Sequence, residues 1–126
     1  MATAMEMVTA AKAGIENLTP SEFADEVQRD HALLVDIREP TETHQEIIPG
    51  ALLAPRGMLE FYADPSSPHH LQEFQANRRI LLYCSAGSRS ALGAQTLQKL
   101  GYADVAHLDG GLNAWKQEDY PTDVPS

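Results

Sequence analysis

The stretch that most constrains this chain is Ile80-Leu81-Leu82-Tyr83-Cys84-Ser85-Ala86-Gly87-Ser88-Arg89-Ser90 and the residues after it. An apolar run of strand length ends in Cys84, the one cysteine of the chain. It then passes through small and polar residues into Ala91, Leu92, Ala94, Leu97 and Leu100, which recur at helical spacing. The pattern predicts a strand, a tight loop and a helix. In an open α/β sheet ligands bind beyond the carboxyl ends of the strands, so Cys84 is placed where chemistry is usually done. Gly87 permits a turn closed to most residues, and consecutive N–H groups in such a loop can converge on an anion while the following helix adds its positive end.

The remainder of the chain repeats this alternation. Strands are predicted near Ile15–Leu18, Leu33–Ile37, Ala51–Leu53, Ile80–Tyr83 and Val105–Leu108. Thr19-Pro20-Ser21-Glu22 is a capping-box start for a helix through Gln28. A helical turn is predicted over Thr43–Ile47, and helices over Leu71–Ala76 and, after the turn at Gly110-Gly111, over Leu112–Lys116. Strands alternating with helices through short connections imply an α/β fold: a five-stranded parallel sheet with helices on both faces. Residues 1–16 read as an N-terminal helical extension carrying Met7, Val8, Ala11 and Ile15 on a weak apolar face, either packed on its own domain or lying in a partner's groove. Residues 17–126 read as the domain itself.

The thiolate is the reactive form of cysteine, and a thiol pKa of about 8.5 falls to roughly 3.5–7.5 beside a helix N-terminus or a cation. Arg89 is the candidate cation, and Cys84 the candidate nucleophile. Ser85, Ala86, Gly87 and Ser88 are candidate substrate-binding loop residues. Ser88 and Ser90 read as loop and N-cap residues, since no base is placed by sequence to activate them. Asp36 and Arg38 share one face at the end of a buried strand and read as a supporting group and a structural ion pair. Arg56 follows the third strand on the same predicted rim and is a candidate second substrate-binding cation. The histidines show no ligand spacing, so no metal site and no cofactor are expected.

One cysteine excludes an internal disulfide and multi-cysteine zinc sites, and suits a reducing compartment. No basic leader followed by an apolar core opens the chain, and no stretch approaches spanning length, so a cytoplasmic location is expected. The net charge of −9 argues against nucleic acid or an anionic membrane as partner.

Cys84-Ser85-Ala86-Gly87-Ser88-Arg89-Ser90 resembles the C-x-x-G-x-R-S active loop of single-domain rhodanese-like sulfurtransferases. Asp109-Gly110-Gly111-Leu112-Asn113-Ala114-Trp115 resembles that family's G-G-x-x-x-W motif, and Val35-Asp36-Ile37-Arg38-Glu39 with Ile48-Pro49-Gly50-Ala51 resembles its two earlier motifs. Glu46-Ile47 stands where the family commonly has Gly-His, which puts loop packing in question more than chemistry. The resemblance implies the rhodanese-like five-stranded fold and transfer of a sulfane sulfur, from a small anionic donor such as thiosulfate to a thiol or cyanide acceptor, through a persulfide on Cys84. A protein persulfide is a further partner it allows. Two alternatives stand beside it: a binding module without turnover, and phosphatase or arsenate reductase chemistry. The latter is disfavoured because Cys84 and Arg89 are separated by four residues where those enzymes carry five.

Overall fold

Alternation along 80–83 sends neighbouring side chains to opposite faces of a sheet. In the computed structural model, which describes residues 1–29 and 31–125, all four are fully buried. Ile80 and Leu82 pack with Val35, Ile37, Leu59 and Leu97, whereas Leu81 and Tyr83 pack with Phe23, Leu34, Leu108 and Trp115. A strand apolar on both faces has to lie in the middle of a covered sheet, and this one does. The strands are β1 (Glu16–Leu18), β2 (Leu33–Asp36), β3 (Leu52–Leu53), β4 (Ile80–Tyr83) and β5 (Val105–Leu108). Their order is β1-β5-β4-β2-β3 with every neighbouring pair parallel, so β4 is central. The predicted five-stranded parallel α/β sheet is the observed one.

Helices α4 (Leu59–Ala63) and α5 (Ser88–Lys99) cover the face of Ile80 and Leu82. On the other face lie α2 (Pro20–Val27) and α6 (Gly111–Gln117), where Phe23 meets Tyr83 and Trp115 edge to face at centroid distances of 6.4 and 6.1 Å. The N-terminal helix α1 (Ala4–Ala13) is capped by Thr3 in reciprocal exchange with Glu6 and packs Val8 and Ala11 against Ala91 of α5. Of its two sequence readings, the structure takes packing on its own domain.

Three local expectations are corrected. The helical turn expected over Thr43–Ile47 lies earlier, as α3 (Pro40–Thr43). Pro40 takes the first helical position, Glu42 accepts from the Glu39 N–H, and Ile47 is drawn instead into an antiparallel bridge with Asp123. That bridge, with Arg38 Nη2 donating to the Glu46 carbonyl, supports the segment where Glu46-Ile47 replaces Gly-His. Leu71–Ala76 is a series of turns and not a helix. Six residues are too few to form a helix without tertiary support, and Phe74 is instead sunk into the core, its ring edge-on to Tyr102. Conversely Arg56–Met58 forms a 3-10 turn leading into α4, a helix the sequence reading did not place.

Candidate active site

Cys84 leaves the carboxyl end of β4, and the loop turns into α5 at Gly87, whose φ of +101° is the left-handed conformation that glycine supplies without a side-chain clash. Gly87 is therefore the N-cap, the place given to Ser88 or Ser90 by the sequence reading. The turn aims two backbone donors at the sulfur: the N–H of Gly87 at 3.2 Å and that of Ser90 at 3.3 Å from Cys84 Sγ. The loop carbonyls point the other way, toward the start of α6. There Leu112 N–H donates to Cys84 O at 2.8 Å and Asn113 N–H to Ser85 O at 3.0 Å. The Gly110-Gly111 turn thus holds the loop from below, with carbonyls outward and donors inward. Donors fixed on the sulfur stabilise negative charge there, and the first turn of α5 adds its positive end. Cys84 is only 1% exposed, so the sulfur lies beneath the rim and not at its mouth.

Arg89 does not stand free beside the sulfur. It forms a two-pronged pair with Glu42 of α3, Nη1 to Oε1 at 2.8 Å and Nη2 to Oε2 at 3.0 Å, and Nη2 also donates to Ser85 Oγ, whose hydroxyl donates to Glu42 Oε2 at 3.0 Å. Arg89 foremost, with the Glu39 N–H and the Ser85 hydroxyl, holds the Glu42 carboxyl at about 2 against the opposing effect of burial. Glu42 is a site residue that sequence reasoning missed. Its only signal is an acid one turn into a helix opened by Pro40, just past the carboxyl end of β2. A depression of about 260 Å³, lined by Arg38, Glu42, Gln45, Ser85, Asn113 and Lys116 among others, opens beside this pair.

Asp36 and Arg38 form a buried pair at the end of β2. Arg38 Nη2 donates to Asp36 Oδ2 at 2.8 Å and Nε to Oδ1 at 3.1 Å, while the Arg38 N–H closes the turn on Oδ1 at 2.9 Å. Arg56 is turned elsewhere: it donates to Glu60 at 2.8 Å and to Thr96 Oγ1 at 3.1 Å, two helical turns along α5 from Arg89. Ala86 is exposed in the loop, and Ser88, the first residue of α5, is half-buried. Among the described residues no group of three or more His, Cys, Asp or Glu could hold a metal.

A second group was not legible in the sequence. Ser90 Oγ lies 3.5 Å from Cys84 Sγ and 2.8 Å from His107 Nδ1, and His107 Nε2 lies 2.7 Å from Asn17 Oδ1. Ser90 and His107 are fully buried. Burial holds the imidazole neutral, lowering its pKa to about 4, with Asp109 pulling upward and Lys12 downward. The sequence puts His107 on the last strand. That β5 brings it under the active loop follows from the strand order.

The description "Rhodanese-like domain" matches residues 19–118. The chain is 34% identical over 96 residues to a sulfurtransferase of Allochromatium vinosum, covering 76% of this chain and 82% of that protein. It is 33% identical over 105 residues to the probable adenylyltransferase/sulfurtransferase MoeZ of Mycobacterium tuberculosis, covering 82% of this chain but only 25% of that protein, so it spans about a quarter of that relative. A solved structure from Rhodopseudomonas palustris, described as a protein of unknown function and possible tyrosine phosphatase, superposes with a TM-score of 0.91 at 37% identity, covering 98% of this chain and 96% of that one. With four motifs in order on a matching sheet and the family match running from Thr19 to Glu118, this chain belongs to the rhodanese-like domain family.

Proposed function

We propose that this chain is a sulfurtransferase that carries a sulfane sulfur as a persulfide on Cys84. The observation that supports it most is the convergence of the Gly87 and Ser90 N–H groups on Cys84 Sγ. The ionised sulfur attacks the outer sulfur of a donor, a new S–S bond forms, and the donor's own sulfur bond breaks with its electron pair leaving on the departing group, sulfite in the case of thiosulfate. A thiolate or cyanide then attacks the outer sulfur, and Cys84 departs as thiolate. Splitting the transfer in two replaces one difficult step by two easier ones, and the loop N–H groups stabilise the anionic sulfur in each. Mass spectrometry after donor treatment is expected to find one added sulfur on the wild-type protein and none on Cys84→Ser. An unmodified wild-type chain overturns the reading.

The name of the Rhodopseudomonas protein raises phosphate transfer as a second reading. Two features oppose it: the four-residue spacing from Cys84 to Arg89, and the Glu42 carboxylate on Arg89, where a phosphate dianion needs a free guanidinium. The same pairing bears on the sulfur donor. With Arg89 neutralised and a net charge of −9, a small dianion such as thiosulfate is a poor fit, and a protein persulfide suits the loop better. Glu42→Gln is therefore expected to lower the Michaelis constant for thiosulfate roughly fivefold, since removing one like charge near the rim is worth about 1 kcal/mol. Steady-state kinetics with thiosulfate for the wild type and Glu42→Gln check it. An unchanged constant for thiosulfate defeats this account of donor choice.

A further inference from the structure

We infer that Asn17, His107 and Ser90 form a proton path to Cys84, in which His107 is a positioning residue that takes the thiol proton through the Ser90 hydroxyl. Its use in sulfur transfer rests on the function proposed above, while the path itself stands on the hydrogen bonds.

Asn17 fixes the direction of the chain. Its amide nitrogen donates to the carbonyls of Lys12 at 3.0 Å and Ile15 at 3.2 Å, so the oxygen is the atom that faces the imidazole. Turning the amide over would set its oxygen against two carbonyls. His107 Nε2 therefore carries hydrogen, and in the neutral ring Nδ1 offers a lone pair. The Ser90 hydroxyl, 2.8 Å away, donates to that lone pair in preference to the more distant Gly87 carbonyl at 3.3 Å. Its oxygen then accepts from the Cys84 thiol. The order S–H to O–H to Nδ1 is complete, with nothing exposed between the sulfur and the ring.

Burial alone keeps the ring neutral, and the negative charge left on Cys84 is what stabilises the imidazolium as two protons move together along the path. The S–H bond breaks as a new O–H bond forms on Ser90, and the former Ser90 O–H bond breaks as Nδ1–H forms. Cys84 becomes thiolate, the imidazole becomes imidazolium with Nε2–H still on Asn17, and the newly formed Ser90 O–H already points at the sulfur and donates to it. Nothing is oxidised or reduced. When the acceptor removes sulfur and Cys84 departs as thiolate, the proton returns by the same path, so loading and unloading balance without exchange with solvent.

The other charges near the ring are few among the described residues. Lys12 of α1 and Asp109 after β5 are paired with each other at 2.7 Å. Glu16 on β1 is held by Arg79, α5 faces the ring with Ser90 while Arg89 is turned to Glu42, and β4 presents Leu82 in register with it. Cys84 is thus the partner able to exchange a proton with His107.

The test needs no sulfur donor. Because the chain has one cysteine, the ultraviolet absorbance of its thiolate can be titrated as a difference against Cys84→Ser. Ser90→Ala, and His107→Asn, which keeps an acceptor near the Nδ1 position but cannot take a proton, are each expected to raise the midpoint by at least about one pH unit. That is roughly tenfold less thiolate at any pH below both midpoints. Asn17→Asp gives up the amide's bonds to the Lys12 and Ile15 carbonyls but, at an exposed position where the second carboxylate oxygen can turn to water, keeps the acceptor for Nε2–H and adds charge that favours the imidazolium. It is expected to lower the midpoint, a direction that loosened packing does not produce. A wild-type midpoint in His107→Asn, or no lowering in Asn17→Asp, overturns the path. These shifts without sulfur uptake would sink the proposed function alone, and sulfur uptake with unshifted midpoints would sink the path alone.

Discussion

Gly111→Ala is expected to cost roughly 3 to 5 kcal/mol and to remove sulfur uptake from whatever fraction remains folded. Gly111 has φ of +62°, and a Cβ placed on it meets the Ser85 carbonyl carbon and oxygen at 2.5 Å and Cys84 O at 2.6 Å. A left-handed non-glycine residue alone costs about 1–3 kcal/mol, and forcing an extra carbon into a packed site typically costs a further 1–3 kcal/mol. The obstructing atoms are backbone, not the movable end of a side chain, so the loop itself has to shift. Those same two carbonyls accept from Leu112 and Asn113. Moving them shifts the loop that carries the Gly87 N–H to the sulfur. Urea denaturation gives the stability change as a lowered midpoint at constant slope. Gly57→Ala, which meets no atom within 4 Å, is the matched control and is expected to stay within about 0.5 kcal/mol of wild type.

Asp36→Ala has a comparable effect by another route. Asp36 is fully buried and Arg38 is 5% exposed, and the carboxylate is the only anion the guanidinium contacts among the described residues. Removing one member of a buried pair strands the other charge in a medium that solvates it poorly, a loss of about 3–5 kcal/mol. Replacing both by apolar residues of similar size, Asp36→Leu with Arg38→Met, is expected to recover most of that loss in the same denaturation experiment. The double variant still lacks the Arg38 bond to the Glu46 carbonyl and leaves the Arg38 N–H without its Asp36 acceptor, so any remaining deficit reports on these two bonds together.

The strand, loop and helix around Cys84 were legible because they are local: an apolar run, a glycine and a helical repeat lie within twenty residues. The Asp36–Arg38 pair was legible for the same reason, two residues apart on one strand. The helix over Leu71–Ala76 was misread because Leu71 and Phe74, three apart, satisfy a helical repeat and a pair of core-filling turns equally well. Arg56 follows β3 as read, but it opens a 3-10 turn that carries its side chain to Glu60 and Thr96.

By itself the sequence determined the five-stranded parallel architecture, the position of the cysteine at the carboxyl end of an apolar strand and the glycine that turns the loop around it, since each depends on the spacing of near neighbours. Only the tertiary structure decided that Glu42 takes the charge of Arg89, 47 residues away, and that Ser90 meets His107 across 17 residues and His107 meets Asn17 across 90. Strand order and register brought those groups together, and these are fixed by how both faces of the sheet are packed. No periodicity within one segment encodes which polar side chains from distant strands end side by side.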